Sequence, residues 1–160
     1  MRIMIENRQR RFRIDRAALR RVATALAARA AAWRDGPPWC EVTFILVDDA
    51  GMAPLNCAIM RHDGPTDVIT QRYTPLPCEP DGILGEVFVN VERAWQVGAR
   101  RRGWPAAREL ALYLAHGCDH LNDEDDATPA ARQRMRRREQ RWLSALRVPL
   151  LLTPNRRAPL

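Results

Sequence analysis

The chain has 160 residues, 46% of them hydrophobic, and a mean hydropathy of −0.40, the profile of one soluble domain that can bury a core without metal or disulfide staples. No apolar run approaches the ~20 residues of a membrane span, Met1–Arg13 has no apolar leader stretch, and Cys40, Cys57, Cys78 and Cys118 form no C-x-x-C; membrane, secreted and zinc-ribbon classes are excluded, and a cytoplasmic chain with reduced thiols is expected. The 26 basic residues are all arginine and segregate: residues 1–34 carry +8, 35–129 carry −9 and 130–160 carry +8, a pattern suited to a polyanion held by the ends and a cation held in the middle.

Along the chain, Arg2–Arg8 alternates apolar and polar residues and predicts a short first strand. Asp15 is a good N-cap for a helix to about Trp33, with Leu19, Val22, Leu26 and Ala30 on one face. Asp35-Gly36-Pro37-Pro38 stops it. Glu41–Val47 reads as a buried strand running into Asp48-Asp49 and a second helix to about Met60, with Pro54 tolerable only in its first turn. Asp67–Gln71 is a third strand, Tyr73–Gly82 a proline-rich loop, and Leu84–Val91 a fourth strand. Helices then follow over Glu92–Arg101, from Pro105 through His116, and from the Thr128 cap with Pro129 at N1 to about Leu146. Residues 148–160, with Pro149, Pro154 and Pro159, predict a poorly ordered tail. Short strands and helices in irregular order give an α+β class: one small mixed sheet of about four strands surrounded by helices.

The stretch that carries chemistry is His116-Gly117-Cys118-Asp119-His120, followed by the acids Asp123, Glu124, Asp125 and Asp126. Histidines four apart on a helix project from one face, about 40° apart, the spacing at which two imidazoles hold one divalent ion. A catalytic metal wants a third protein ligand, and acids are abundant. Were the helix to continue, Asp123 would face the metal; were it to end near Asn122, a turn would swing Asp126 back. Helix geometry alone favours Asp123, whereas negative charge opposing the macrodipole at a helix C-terminus, and Asn122 with its liking for the left-handed end conformation, favour a turn; on the residues alone both ligands stay open. Cys118 falls on the opposite face. Zinc-peptidase chemistry needs glutamate directly after the first histidine, and that position is Gly117.

The stretch resembles the H-G-x-x-H-(x)5-H signature of the YbeY family of metal-dependent single-strand endoribonucleases. Leu46-Val47-Asp48-Asp49 with Leu55-Asn56, then Gly64–Thr70, then Leu84–Ala94, are similar to the family's segments in their order, so the likeness spans residues 1–147. It implies a single YbeY-like domain and a function in ribosomal-RNA processing and small-subunit maturation and quality control. The implied partners are single-stranded ribosomal RNA and the small ribosomal subunit, and the implied cofactor is one Zn²⁺ or another divalent ion per chain. Carried over by position, His116, His120 and Asp126 are the metal residues, with Asp126 where most members have histidine. The family's turn glycine is Asp123 here. Its arginine near the metal falls at Met60, with Arg61 beside it as the catalytic candidate.

An alternative from another class is a ribosome-assembly RNA-binding protein with a structural metal and little or no nuclease activity; a small-molecule hydrolase ranks third. Glu86 is a candidate carboxylate behind a metal histidine, His62 reads as an exposed loop residue, and Trp33, Trp95 and Trp142 fit helix core faces. The arginine-dense ends, Arg136, Arg137 and Arg138 among them, are expected to hold RNA backbone.

Overall fold

The computed structural model describes residues 1–33, 35–73 and 82–155; the expected loop after Tyr73 lies almost wholly outside them. Strands β1 (Arg2–Asn7), β3 (Trp39–Val47), β4 (Val68–Tyr73) and β5 (Ile83–Asn90) form one sheet in the order β1-β3-β5-β4. β1 and β5 run parallel to β3, whereas β4 returns antiparallel to β5, so the sheet is mixed. The α+β class read from the sequence is the observed one. The helices are α1 (Arg16–Ala31), α2 (Asp49–Leu55), α3 (Val91–Arg100), α4 (Ala106–Leu121) and α5 (Pro129–Ser144).

The caps follow the sequence. Asp15 accepts from the Ala18 amide at 2.9 Å, Asp48 from Gly51 at 3.0 Å, Asn90 from Arg93 at 3.1 Å and Thr128 from Ala131 at 3.2 Å. Each side-chain oxygen satisfies an amide that the first helical turn leaves open. β3 is a continuous apolar run because both of its faces are covered. Phe44 and Leu46 enter the main core with α1 and α4, while Ile45 and Val47 join Met52, Ile69 and Phe88 under α2. α4 is the hub, packed against α1, α3, α5, β4 and β5.

Two expectations need correction. Pro54 lies near the end of α2 rather than in its first turn, and the chain passes directly into a π-helical turn over Asn56–Met60. The tail does not begin at residue 148. Strand β2 (Phe12–Ile14) pairs antiparallel with β6 (Leu152–Pro154), and Leu151 and Leu152 are buried. Asn155 N–H donates to Arg11 O at 2.8 Å, and Asp15 N–H to Leu151 O at 3.0 Å. Two three-residue strands so far apart carry no local pattern, and the prolines that argued against helix are compatible with an edge strand.

The segments flanking the site are tied by Asn90, which is wholly buried. Its amide nitrogen donates to Asp49 Oδ1 at 2.7 Å and to Thr66 O at 2.9 Å, and its backbone N–H to Asp67 O at 2.8 Å. Three of the sequence segments that resemble the YbeY family therefore meet at one polar knot.

Candidate active site

Helix α4 is buried on nearly every side, and its C-terminal half carries both histidines. Gly117 makes this approach to the sheet feasible: a Cβ there would lie 2.2 Å from Val87 Cγ1 and 3.3 Å from Val68 Cγ1. His116 and His120 consequently emerge along the edge of the buried helix, half-buried, with ring centroids 4.5 Å apart.

Both imidazoles are held from behind. Nδ1 of His116 donates to Oε1 of Glu139 at 2.6 Å, and Nδ1 of His120 donates to the Glu124 carbonyl at 2.9 Å. With acceptors at both Nδ1 atoms, the ring protons sit there and the two Nε2 lone pairs face each other at 3.1 Å. Two lone pairs so placed repel unless a proton or cation lies between them. Tetrahedral zinc with bonds of about 2.0–2.1 Å separates two ligand nitrogens by about 3.3–3.4 Å, so the imidazole pair fits a divalent ion. Burial lowers the pKa of His116, but the hydrogen bond and charge of Glu139 outweigh it and leave the group raised. Burial and the neighbouring His116 push His120 down.

A cavity of about 380 Å³ opens on His116, lined by Asp67, Glu109, Tyr113, Asp126, Arg132, Arg136 and Glu139. Asp126 thus shares the cavity with His116, and its carboxylate lies 3.5 Å from Arg132. Among the described residues no three His, Cys, Asp or Glu side chains are gathered closely enough to hold an ion by themselves. Asp123 points elsewhere, exposed and paired with Arg72. α4 ends at Leu121, and the left-handed residue is Asp123 (φ 59°), not Asn122, whose side chain donates to Ala30 O at 2.8 Å. Asp123 thus makes the turn after α4 in a conformation that aspartate tolerates better than most residues.

Arg61 is exposed at the left-handed end of the π-helical turn (φ 59°) and does not line the cavity on His116; Met60 is exposed as well. His62 is exposed, as expected. Glu86 accepts from the Tyr73 hydroxyl at 2.8 Å, and the carboxylate behind a histidine is Glu139 instead. Trp95 packs on Phe12 and Trp142 is buried, whereas Trp33 is half exposed beneath the Arg138 guanidinium. Burial pushes the Cys118 thiol up, as suits an inert core residue on the far face.

Sequence reasoning missed Glu139 and placed Arg138 with the RNA-holding arginines, though a signal for another role was present in both. Both fall along the apolar stripe of α5 marked by Met135 and Trp142, where a charge needs a partner. Arg138 grips Asp119, which is wholly buried, with Nε 2.8 Å from Oδ1 and Nη2 2.8 Å from Oδ2; Nη2 also lies 2.9 Å from Glu124 Oε2. Burial raises the Asp119 carboxyl to about 6 against the pull of Arg138.

Residues 4–147 match the family described as Endoribonuclease YbeY. An Endoribonuclease YbeY of Rhodopirellula baltica is 34% identical over 134 residues, covering 83% of this chain and 68% of that protein. One from Salinibacter ruber is 32% identical, covering 70% and 74% respectively. A solution structure from Thermotoga maritima superposes with a TM-score of 0.56 at 20% identity, over 89% of this chain and 87% of that one, and shares the fold. With the histidine pair, its buried supports and a match over nearly the whole described chain, the protein belongs to the YbeY endoribonuclease family.

Proposed function

We propose that the protein is a single-strand-specific, metal-dependent endoribonuclease that acts on ribosomal RNA during small-subunit maturation in the cytoplasm. The observation that carries this reading is the pair of Nε2 atoms 3.1 Å apart with both Nδ1 atoms anchored. His116 and His120 would hold a divalent ion, Zn²⁺ by the chemistry of the donors, with Asp126 as the oxygen ligand. When bound, the ion would polarise a phosphoryl oxygen.

The chain's own residues supply the rest. Glu139 and the Glu124 carbonyl fix the imidazole tautomers. Arg132 and Arg136, on the cavity wall, are suited to bind the phosphodiester and to offset the charge of Asp67, Asp126 and Glu139 around it. Such a cavity recognises the backbone and leaves base choice to flanking surfaces. Among the described residues no helix is long and apolar enough to cross a membrane.

The test is cleavage of single-stranded and duplex RNA by purified protein, with and without chelator, beside elemental analysis. Chelator-sensitive cutting of the single strand supports the proposal. RNA binding without cleavage would favour the ribosome-assembly binding role, and absence of both would overturn the reading.

A further inference from the structure

Residues 138 and 139 are consecutive on α5 and project about 100° apart, so they meet the α4 region at different points. Glu139 meets His116 directly. Arg138 touches neither imidazole. Its guanidinium instead grips two points that bracket His120: the wholly buried Asp119 carboxylate just before it, and the Glu124 carboxylate four residues after it. Glu124 is also the residue whose carbonyl accepts from His120 Nδ1 at 2.9 Å. One side chain thus ties together the end of the helix, the left-handed turn at Asp123 and the segment leading to Asp126.

The guanidinium lies over Trp33, whose ring centroid is 5.0 Å from the guanidinium carbon. A planar guanidinium serves two carboxylates at fixed angles, which an ammonium does not. Packing alone asks nothing of this kind, because an apolar group of similar volume in place of a buried ion pair is often neutral or stabilising. We propose that Arg138 is a positioning residue: through Glu124 and Asp119 it holds His120 and the Asp126 loop in the geometry that receives the metal. The inference rests on the metal reading above.

The test separates tether from fold with Glu124→Ala, which removes the carboxylate and keeps the carbonyl, and with the paired change Arg138→Met, Asp119→Leu, which deletes both buried charges together. Zn²⁺ titration, hydrogen exchange of residues 122–127 in metal-free protein, and thermal unfolding are read for each. Glu124→Ala should weaken Zn²⁺ binding about tenfold and speed exchange across the loop while the melting temperature stays near wild type; the double variant should weaken binding by about 10–100-fold. Wild-type affinity with wild-type exchange rates in Glu124→Ala would overturn the proposal, whether or not the double variant folds. Wild-type protein that takes up no Zn²⁺ would overturn the metal reading instead, and loop exchange would still decide the tether.

Discussion

Oε1 of Glu139 lies 2.6 Å from Nδ1 of His116, and only 1% of that glutamate side chain is exposed. A buried carboxylate behind an imidazole fixes which nitrogen presents its lone pair and makes that nitrogen a better donor. Glu139→Gln should therefore weaken Zn²⁺ affinity by about 10–100-fold while the fold is retained. Competition against a chromophoric chelator measures this, and unchanged affinity would sever the carboxylate from the metal.

Asp126 and Asp123 separate cleanly in the structure, one on the cavity wall with His116 and the other exposed on Arg72. Asp126→Asn should weaken metal binding strongly, and Asp123→Asn should leave it within a factor of two, about 0.4 kcal/mol. The reverse order in a metal titration would mean that the loop rearranges to bring Asp123 inward.

The left-handed backbone of Asp123 (φ 59°) makes a separate prediction about stability. Asp123→Ala should be less stable than Asp123→Gly by about 1 kcal/mol, because a Cβ is penalised in that conformation and glycine is not. Both variants lose the same contact with Arg72, so their difference reports the backbone alone. Urea unfolding of the two side by side gives it.

Removing residues 148–160 should destabilise the protein by about 3–6 kcal/mol, the burial value of two leucines, since Leu151 and Leu152 are both in the core beside Phe12. The fragment should unfold at distinctly lower temperature. Indifference to the deletion would show that the β2–β6 pairing adds nothing to the fold.

RNA affinity should fall with salt by about 0.7 decades per decade for each single-strand phosphate contacted. Arg136→Ala, on the cavity wall, should reduce that slope by about 0.7 and leave thermal stability near wild type. Arg138 does not belong with it, because its guanidinium is buried on Asp119 and Glu124; reversing that charge should unfold the protein before it reports on RNA. A salt slope near zero in the wild type would contradict phosphate contacts altogether.

The elements legible in the sequence are those whose determinants are local. The Asp15, Asp48 and Thr128 caps, the apolar stripe of α1 and the two-sided β3 run all stand where spacing and cap chemistry put them. The histidine pair was legible for the same reason, since four residues on a helix fix a direction. What supports the pair was not. Glu139 lies 23 residues from His116 in the chain, and its role depends on how α5 crosses α4. Arg61 follows from its place in a motif, and it stands at the end of a π-helical turn, outside the residues that line the cavity on His116. Cap chemistry puts the left-handed residue after α4 at Asn122, whereas Asn122 has φ −88°, its side chain donates to Ala30 O of a distant helix, and the left-handed residue is Asp123.

Gly117 sets a boundary on chemistry as well as on shape. With Val87 2.2 Å from any Cβ at that position, the sheet reserves the space where a zinc peptidase carries its glutamate base. The acidic and phenolic groups that line the cavity come from α4 itself, Glu109 and Tyr113, and from other segments, Asp67, Asp126 and Glu139. The α5 contribution is tied to the histidines, because Glu139 also anchors His116 Nδ1, whereas Asp67 stands on the segment before β4, so a change there can alter the wall and leave the imidazoles in place. The imidazole pair is thereby bound to α4 and α5 together, and the part of the wall left to vary is the part that neither helix carries.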